Sequence, residues 1–100
     1  MKGSVYLLTD GELYKIGVTR GSIDKRIAKL QTGNPYTIQM VKHYETDRPF
    51  KLEKILHFRH SSQRINNEWF QLTNEDVLNF HNECSDIEDM LDAVKSNPFM

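Results

Sequence analysis

Two short β-rich runs around an Asp-Gly pair constrain this chain more than any other feature. Val5-Tyr6-Leu7-Leu8 and Tyr14-Lys15-Ile16-Gly17-Val18-Thr19 flank a turn that contains Asp10-Gly11. Such a pair between apolar runs signals a hairpin, because both central turn positions need positive φ. Centring the turn on Asp10 and Gly11 sets Tyr6 directly opposite Lys15, on one face and within mutual reach. An ammonium beside a phenol stabilises the phenolate, and the couple could then take a proton from an attacking water. The plain alternative is a core tyrosine with a lysine on the solvent face beside it.

The remaining punctuation predicts a small α+β domain. Ser22 is a good N-cap, and Ile23, Ile27 and Leu30 recur at helical spacing until Gly33-Asn34-Pro35. A strand is expected over 37–44. A second helix opens at Pro49 and runs to about His60, with Leu52, Ile55, Leu56 and Phe58 as its expected buried side. A polar turn over 61–67 leads to a short strand over 68–72. Thr73 caps a C-terminal helix that is expected to break near Cys84, where Ser85-Asp86-Ile87-Glu88 matches a capping box. Val77, Leu78, Phe80, Cys84, Ile87, Leu91 and Val94 form its expected apolar face, and the tail 97–100 is expected to fray. This divides the chain into a core of 1–72 and an acidic helical extension of 73–100.

Composition narrows the classes. One hundred residues, 38% hydrophobic and 27% charged, suit a single globular domain and argue against wholesale disorder. The longest apolar runs span only a few residues, too short to cross a membrane. Met1-Lys2-Gly3 leads straight into a strand pattern, and Cys84 has no second cysteine to pair with. Both point to an intracellular, cytoplasmic setting (host cytoplasm for a viral chain) and exclude a cysteine-based zinc knuckle. The net charge of −1 conceals an asymmetry. Residues 1–72 carry twelve Lys/Arg against seven Asp/Glu, a balance of +5, whereas 73–100 carry Lys95 against seven acids, a balance of −6. A basic body suits a polyanionic partner such as nucleic acid, or is an unevenly charged solvated surface.

Several residues carry candidate chemistry. Glu53, His57 and His60 share one stripe of the second helix at i, i+4 and i+7. A single carboxylate with waters and substrate phosphate is a common way to hold Mg²⁺, and Glu with two His would suit a transition metal. Glu53 could equally be a surface glutamate paired with Lys51 or Lys54. Arg26, at the margin of the first helix's apolar face, could bind a phosphate bidentately or snorkel to solvent beside Lys25 and Lys29. Gly17 would allow close approach of a neighbouring group.

In order along the chain, these residues resemble the GIY-YIG nuclease superfamily, closest to the branch common in phage and microbial proteins whose second motif reads KIG. The likeness covers residues 4–72. Ser4-Val5-Tyr6 stands for the first motif, and Lys15-Ile16-Gly17 for the second, followed by Thr19. Arg26 in Lys25-Arg26-Ile27-Ala28-Lys29-Leu30 matches the helical arginine, and Gln31-Thr32-Gly33-Asn34-Pro35 the usual helix exit. Glu53 matches the metal-binding glutamate, and Asn67-Glu68-Trp69-Phe70 the closing segment.

The resemblance implies a small antiparallel sheet flanked by helices and hydrolysis of phosphodiester bonds with one divalent ion, Mg²⁺ or Mn²⁺. Glu53 would hold the ion, Arg26 would steady the phosphate, and Tyr6 would act as base or position the water. Lys15 replaces the usual second tyrosine and would polarise water or Tyr6. Gly17, His57 and either Asn66 or Asn67 would support the site. The expected function is a metal-dependent DNA endonuclease, with DNA favoured over RNA and no membrane partner. The alternatives are a nucleic-acid-binding module without turnover and an interaction module. In the last, the acidic C-terminal helix would bind a protein or a second copy, or shield the basic face from DNA.

Overall fold

The computed structural model describes residues 2–96, so the expected fraying over 97–100 lies outside the described residues. Five strands form one antiparallel sheet in the order β3-β1-β2-β5-β4. They are β1 (Gly3–Thr9), β2 (Tyr14–Thr19), β3 (Gln39–Thr46), β4 (Arg64–Asn66) and β5 (Trp69–Phe70). Among the described residues four α-helices accompany them: α1 (Ile23–Gln31), α2 (Pro49–Arg59), α3 (Asn74–Leu78) and α4 (Phe80–Ser96). The α+β architecture is the one expected. Among the described residues no helix is long and apolar enough to cross a membrane.

The hairpin exists, but its register differs from expectation. Tyr6 pairs with Gly17, and Lys15 pairs with Leu8 rather than with Tyr6. The cause is local. The Asp10 carboxylate accepts the amides of Glu12 and Leu13 at 2.9 and 2.8 Å, and Thr9 Oγ1 donates to the Leu13 carbonyl at 2.9 Å. These bonds widen the reversal to four residues, with Gly11 at φ +103°, so Thr9 pairs with Tyr14. A shift of two residues leaves every side chain on its original face. Tyr6 and Lys15 therefore still share a face, set diagonally.

That face and its opposite build two cores. Tyr6, Leu8 and Ile38 pack with Ile27 and Leu30 of α1. On the other face Val5, Leu7 and Ile16 pack with Leu52 and Leu56 of α2, Phe70 of β5, and Phe80, Cys84 and Ile87 of α4. α1 is held at its start by Ser22, whose hydroxyl accepts the Lys25 amide. Residues 61–67, expected as a turn, hold a 3-10 turn (Ser61–Gln63) and β4. Pairing with β5 makes β4 a strand despite its exposed, polar character.

The C-terminal segment breaks at Asn79 instead of near Cys84. Thr73 and Asp76 form a reciprocal capping box that opens α3. The match at Ser85–Glu88 lies inside continuous α4. Phe80, Cys84 and Ile87 fall at i, i+4 and i+7 and are all buried, so a break between them would lift Ile87 from the core. Leu78 and Val94, expected on the apolar face, are exposed. Phe58, expected inside, is 80% exposed, because Leu52 and Leu56 set the buried line on the far side of α2. The acids of α4 partly face the core. Arg48 pairs with Glu88 at 2.7 Å and with Asp92 at 2.6 Å, and Glu88 also accepts from Thr46.

Candidate metal and phosphate site

β5 covers only the first part of β2, pairing Tyr14 with Phe70 and Lys15 with Trp69. Beyond that point no strand among the described residues pairs with this edge of β2, and side chains from α1, α2 and the β4–β5 turn converge there. Gly17 lies at this edge. A Cβ built on it would fall 2.4 Å from both Cζ and Oη of Tyr6. Glycine is therefore required by the tyrosine ring that lies across it. Arg26 reaches back from α1, and its Nε donates to Tyr6 Oη at 3.2 Å. Its Nη groups take no hydrogen bond among the described residues, which leaves a two-pronged donor beside the tyrosine.

Lys15 is buried, so the solvent-face alternative does not hold. Its Nζ meets Glu68 Oε2 at 2.5 Å and lies 5.7 Å from the centre of the Trp69 ring. The partner of this lysine is thus Glu68, which the sequence placed only within a closing segment and assigned no role. The signal for it was weak. One acid in a polar turn becomes informative only when β5 carries it to the edge of β2, where Ile16 N donates to the Glu68 carbonyl at 3.1 Å.

Glu53 is not an exposed partner of Lys51 or Lys54. Its Oε2 is buried without a hydrogen bond. Burial, and then the charge of Glu68, raise its pKa from 4.5 to about 7, against the opposing pull of Lys15 and Arg26. His57 stands one helical turn on. Its Nε2 donates to the Ile16 carbonyl at 2.8 Å, which fixes the tautomer and makes Nδ1 the acceptor. Arg64 Nη2 donates to that Nδ1 at 3.3 Å. Glu53, His57 and Glu68 each offer one ligand atom within 4.8 Å of the others. Two carboxylates, one of them with an orphaned buried oxygen, and one imidazole fit a divalent cation, which would supply the missing partner of Glu53.

His60 has a different duty. It is buried between Gln63 at 2.7 Å and Glu83 at 2.9 Å, and the Glu83 carboxylate raises its pKa. That arrangement joins α2 to α4 and does not bring His60 to Glu53 and His57. Asn66 and Asn67 are both exposed. Asn66 lines a separate groove with Asp10, Thr32, Asn34 and Trp69. Asn67 occupies the left-handed turn position at φ 48°, a geometry asparagine tolerates well. Neither lines the cleft of about 480 Å³ that Glu53 and His57 share with Phe50, Lys54, Phe58 and Arg64.

Fold and site define an α+β protein with a cation-competent acid–imidazole cluster and an arginine–tyrosine pair at one sheet edge. The chain belongs to the T5orf172 domain family, whose sequence model matches residues 3–85. That domain is found in phage and bacterial nuclease-like proteins. No curated protein and no solved structure matches the chain.

Proposed function

We propose that this protein is a metal-dependent DNA endonuclease of the GIY-YIG type. The observation that carries the reading is the partnerless Oε2 of Glu53, with His57 and Glu68 as neighbouring donors, at the sheet edge that also holds Tyr6 and Arg26. One divalent ion, Mg²⁺ or Mn²⁺, bound by Glu53 would supply Lewis acidity toward the scissile phosphate. The free Nη groups of Arg26 bind the phosphate oxygens and counter the charge that develops on them. Tyr6, which accepts the Arg26 Nε–H, orients the attacking water through its hydroxyl or, as the phenolate, accepts that water's proton. Lys15 holds Glu68 at the edge through their ion pair and adds positive potential there. His57, oriented by the Ile16 carbonyl, would turn its Nδ1 lone pair from the Arg64 guanidinium to the ion.

Cleavage of supercoiled plasmid and of branched DNA, with Mg²⁺, Mn²⁺ or chelator, tests the reading. Wild type should cut only with metal, and Glu53→Gln should be inactive while still folded. DNA binding without cutting under every metal would overturn it in favour of a binding module.

A further inference from the structure

The outer face of α2 carries a second feature beside the metal donors. Around the helix, Glu53, His57, Phe50, Lys54 and Phe58 follow one another as neighbouring positions. Phe50 is 55% and Phe58 80% exposed, although Leu52 and Leu56 already fill the core side of this helix. Folding therefore gains little from either ring. Both line the same cleft as Glu53 and His57, together with Lys54 and Arg64. Arg20, at the end of β2, stacks its guanidinium 5.4 Å from the centre of the Phe50 ring. Lys51 and Lys54 are exposed next to the rings, and Glu53 is the one acid α2 contributes.

Interleaved aromatic faces and cations form the surface that binds unpaired nucleic acid. The cations follow the phosphates, and the rings stack on bases whose faces a duplex would hide. Phe50 and Phe58 are eight residues apart, roughly 12 Å along the helix axis, so two rings are offered along one strand's path. We infer that the Phe50–Lys54–Phe58 face of α2 is a stacking platform for a single-stranded segment next to the cleaved phosphate. The substrate would then be DNA with unpaired bases, such as a flap, bubble or junction. This rests on the nuclease reading for the word substrate, but the strand binding itself does not.

The test measures binding without divalent cation, so that turnover plays no part. A short oligonucleotide with a fluorescent aminopurine base is offered single-stranded and as a duplex to wild type, Phe50→Ala, Phe58→Ala, Phe58→Leu and Phe58→Tyr. Wild type should bind the single strand more tightly and change the aminopurine emission. Each alanine variant should lose about five-fold or more of single-strand affinity and about two-fold or less of duplex affinity. Phe58→Tyr should retain the binding that Phe58→Leu loses. Unchanged single-strand affinity in the alanine variants would overturn the inference. So would equal losses on both forms, or a shift in sedimentation showing that the rings join two copies of the chain. If wild type binds as expected yet cuts no DNA with any metal, the nuclease reading falls and the platform stands.

Discussion

The Tyr6 ring lies directly over Gly17, so closely that the smallest side chain at residue 17 would overlap the phenol. Pairing of Tyr6 with Gly17 in the ladder places them so, and the Arg26 Nε–H completes the fit from above. The hydroxyl's position thus depends on a residue that contributes no atom to the chemistry.

Gly17→Ala should therefore act as an indirect Tyr6 substitution. The ring must move, which breaks its bond from Arg26 and overpacks the core under α1, at about 1–3 kcal/mol of stability. DNA cleavage should fall about ten-fold or more, as in Tyr6→Phe. Urea denaturation and plasmid nicking separate the two variants, since Tyr6→Phe should lose activity with less loss of stability.

The Glu53–His57–Glu68 cluster should make stability and Mn²⁺ affinity depend on pH in opposite directions. In the folded protein without metal, Glu53 keeps its proton up to about pH 7, whereas the unfolded chain releases it near 4.5. Between those values the folded state binds more protons, so stability declines as pH rises through the window. Glu53→Gln should remove that decline, gaining on the order of 2 kcal/mol above pH 7 relative to wild type. Binding of Mn²⁺ must displace the same proton. Its affinity should rise about ten-fold per pH unit below 7 and level off above it, as calorimetry would show.

The Lys15–Glu68 pair joins a buried ammonium to a half-exposed carboxylate. Glu68→Ala should leave Lys15 buried and unpaired, costing about 1–2 kcal/mol after allowance for the exposure of the partner. The double variant Lys15→Met with Glu68→Ala should recover part of that loss. Glu68→Gln should also weaken Mn²⁺ binding, whereas Asn66→Ala should not. Denaturation and metal titration of the four proteins check both statements.

The acidic C-terminal segment contributes three fully or nearly fully buried side chains to the main core: Phe80, Cys84 and Ile87. Ile87→Ala should cost about 2–5 kcal/mol, and removal of residues 73–100 should unfold the domain. Burial pushes the Cys84 thiol up to about 12. It should stay unreactive toward thiol reagents in the native protein and become reactive on unfolding, measurable by mass spectrometry.

Local chemistry made much of the fold legible. Ser22, Pro49 and Thr73 each begin a helix where their capping preferences say they should, because a cap needs only its own turn. Period-two patterning put Tyr6 and Lys15 on one face, and that survived a changed register because the error was an even number of residues. Arg26 and Glu53 emerged from their order and from resemblance, and the fold brings both to the same sheet edge as Tyr6.

What tertiary structure alone decided had non-local causes. The hairpin register is the local exception, where Asp10 bonding to two amides ahead of it moved Lys15 from Tyr6 to Leu8. Pairing of β5 with β2 carried Glu68 to Lys15, across 53 positions of sequence, and set it beside Glu53 and His57. Competition between burying Ile87 and ending a helix at Ser85 settled the break at Asn79, and the direction of the core turned Phe58 outward. The amino-acid order determined the elements, their caps and the faces of the first hairpin, since these depend on neighbours within a turn or two. Which charges meet, which rings lie open and which oxygen is left without a partner depend on how distant elements share one sheet edge, and only packing could decide that.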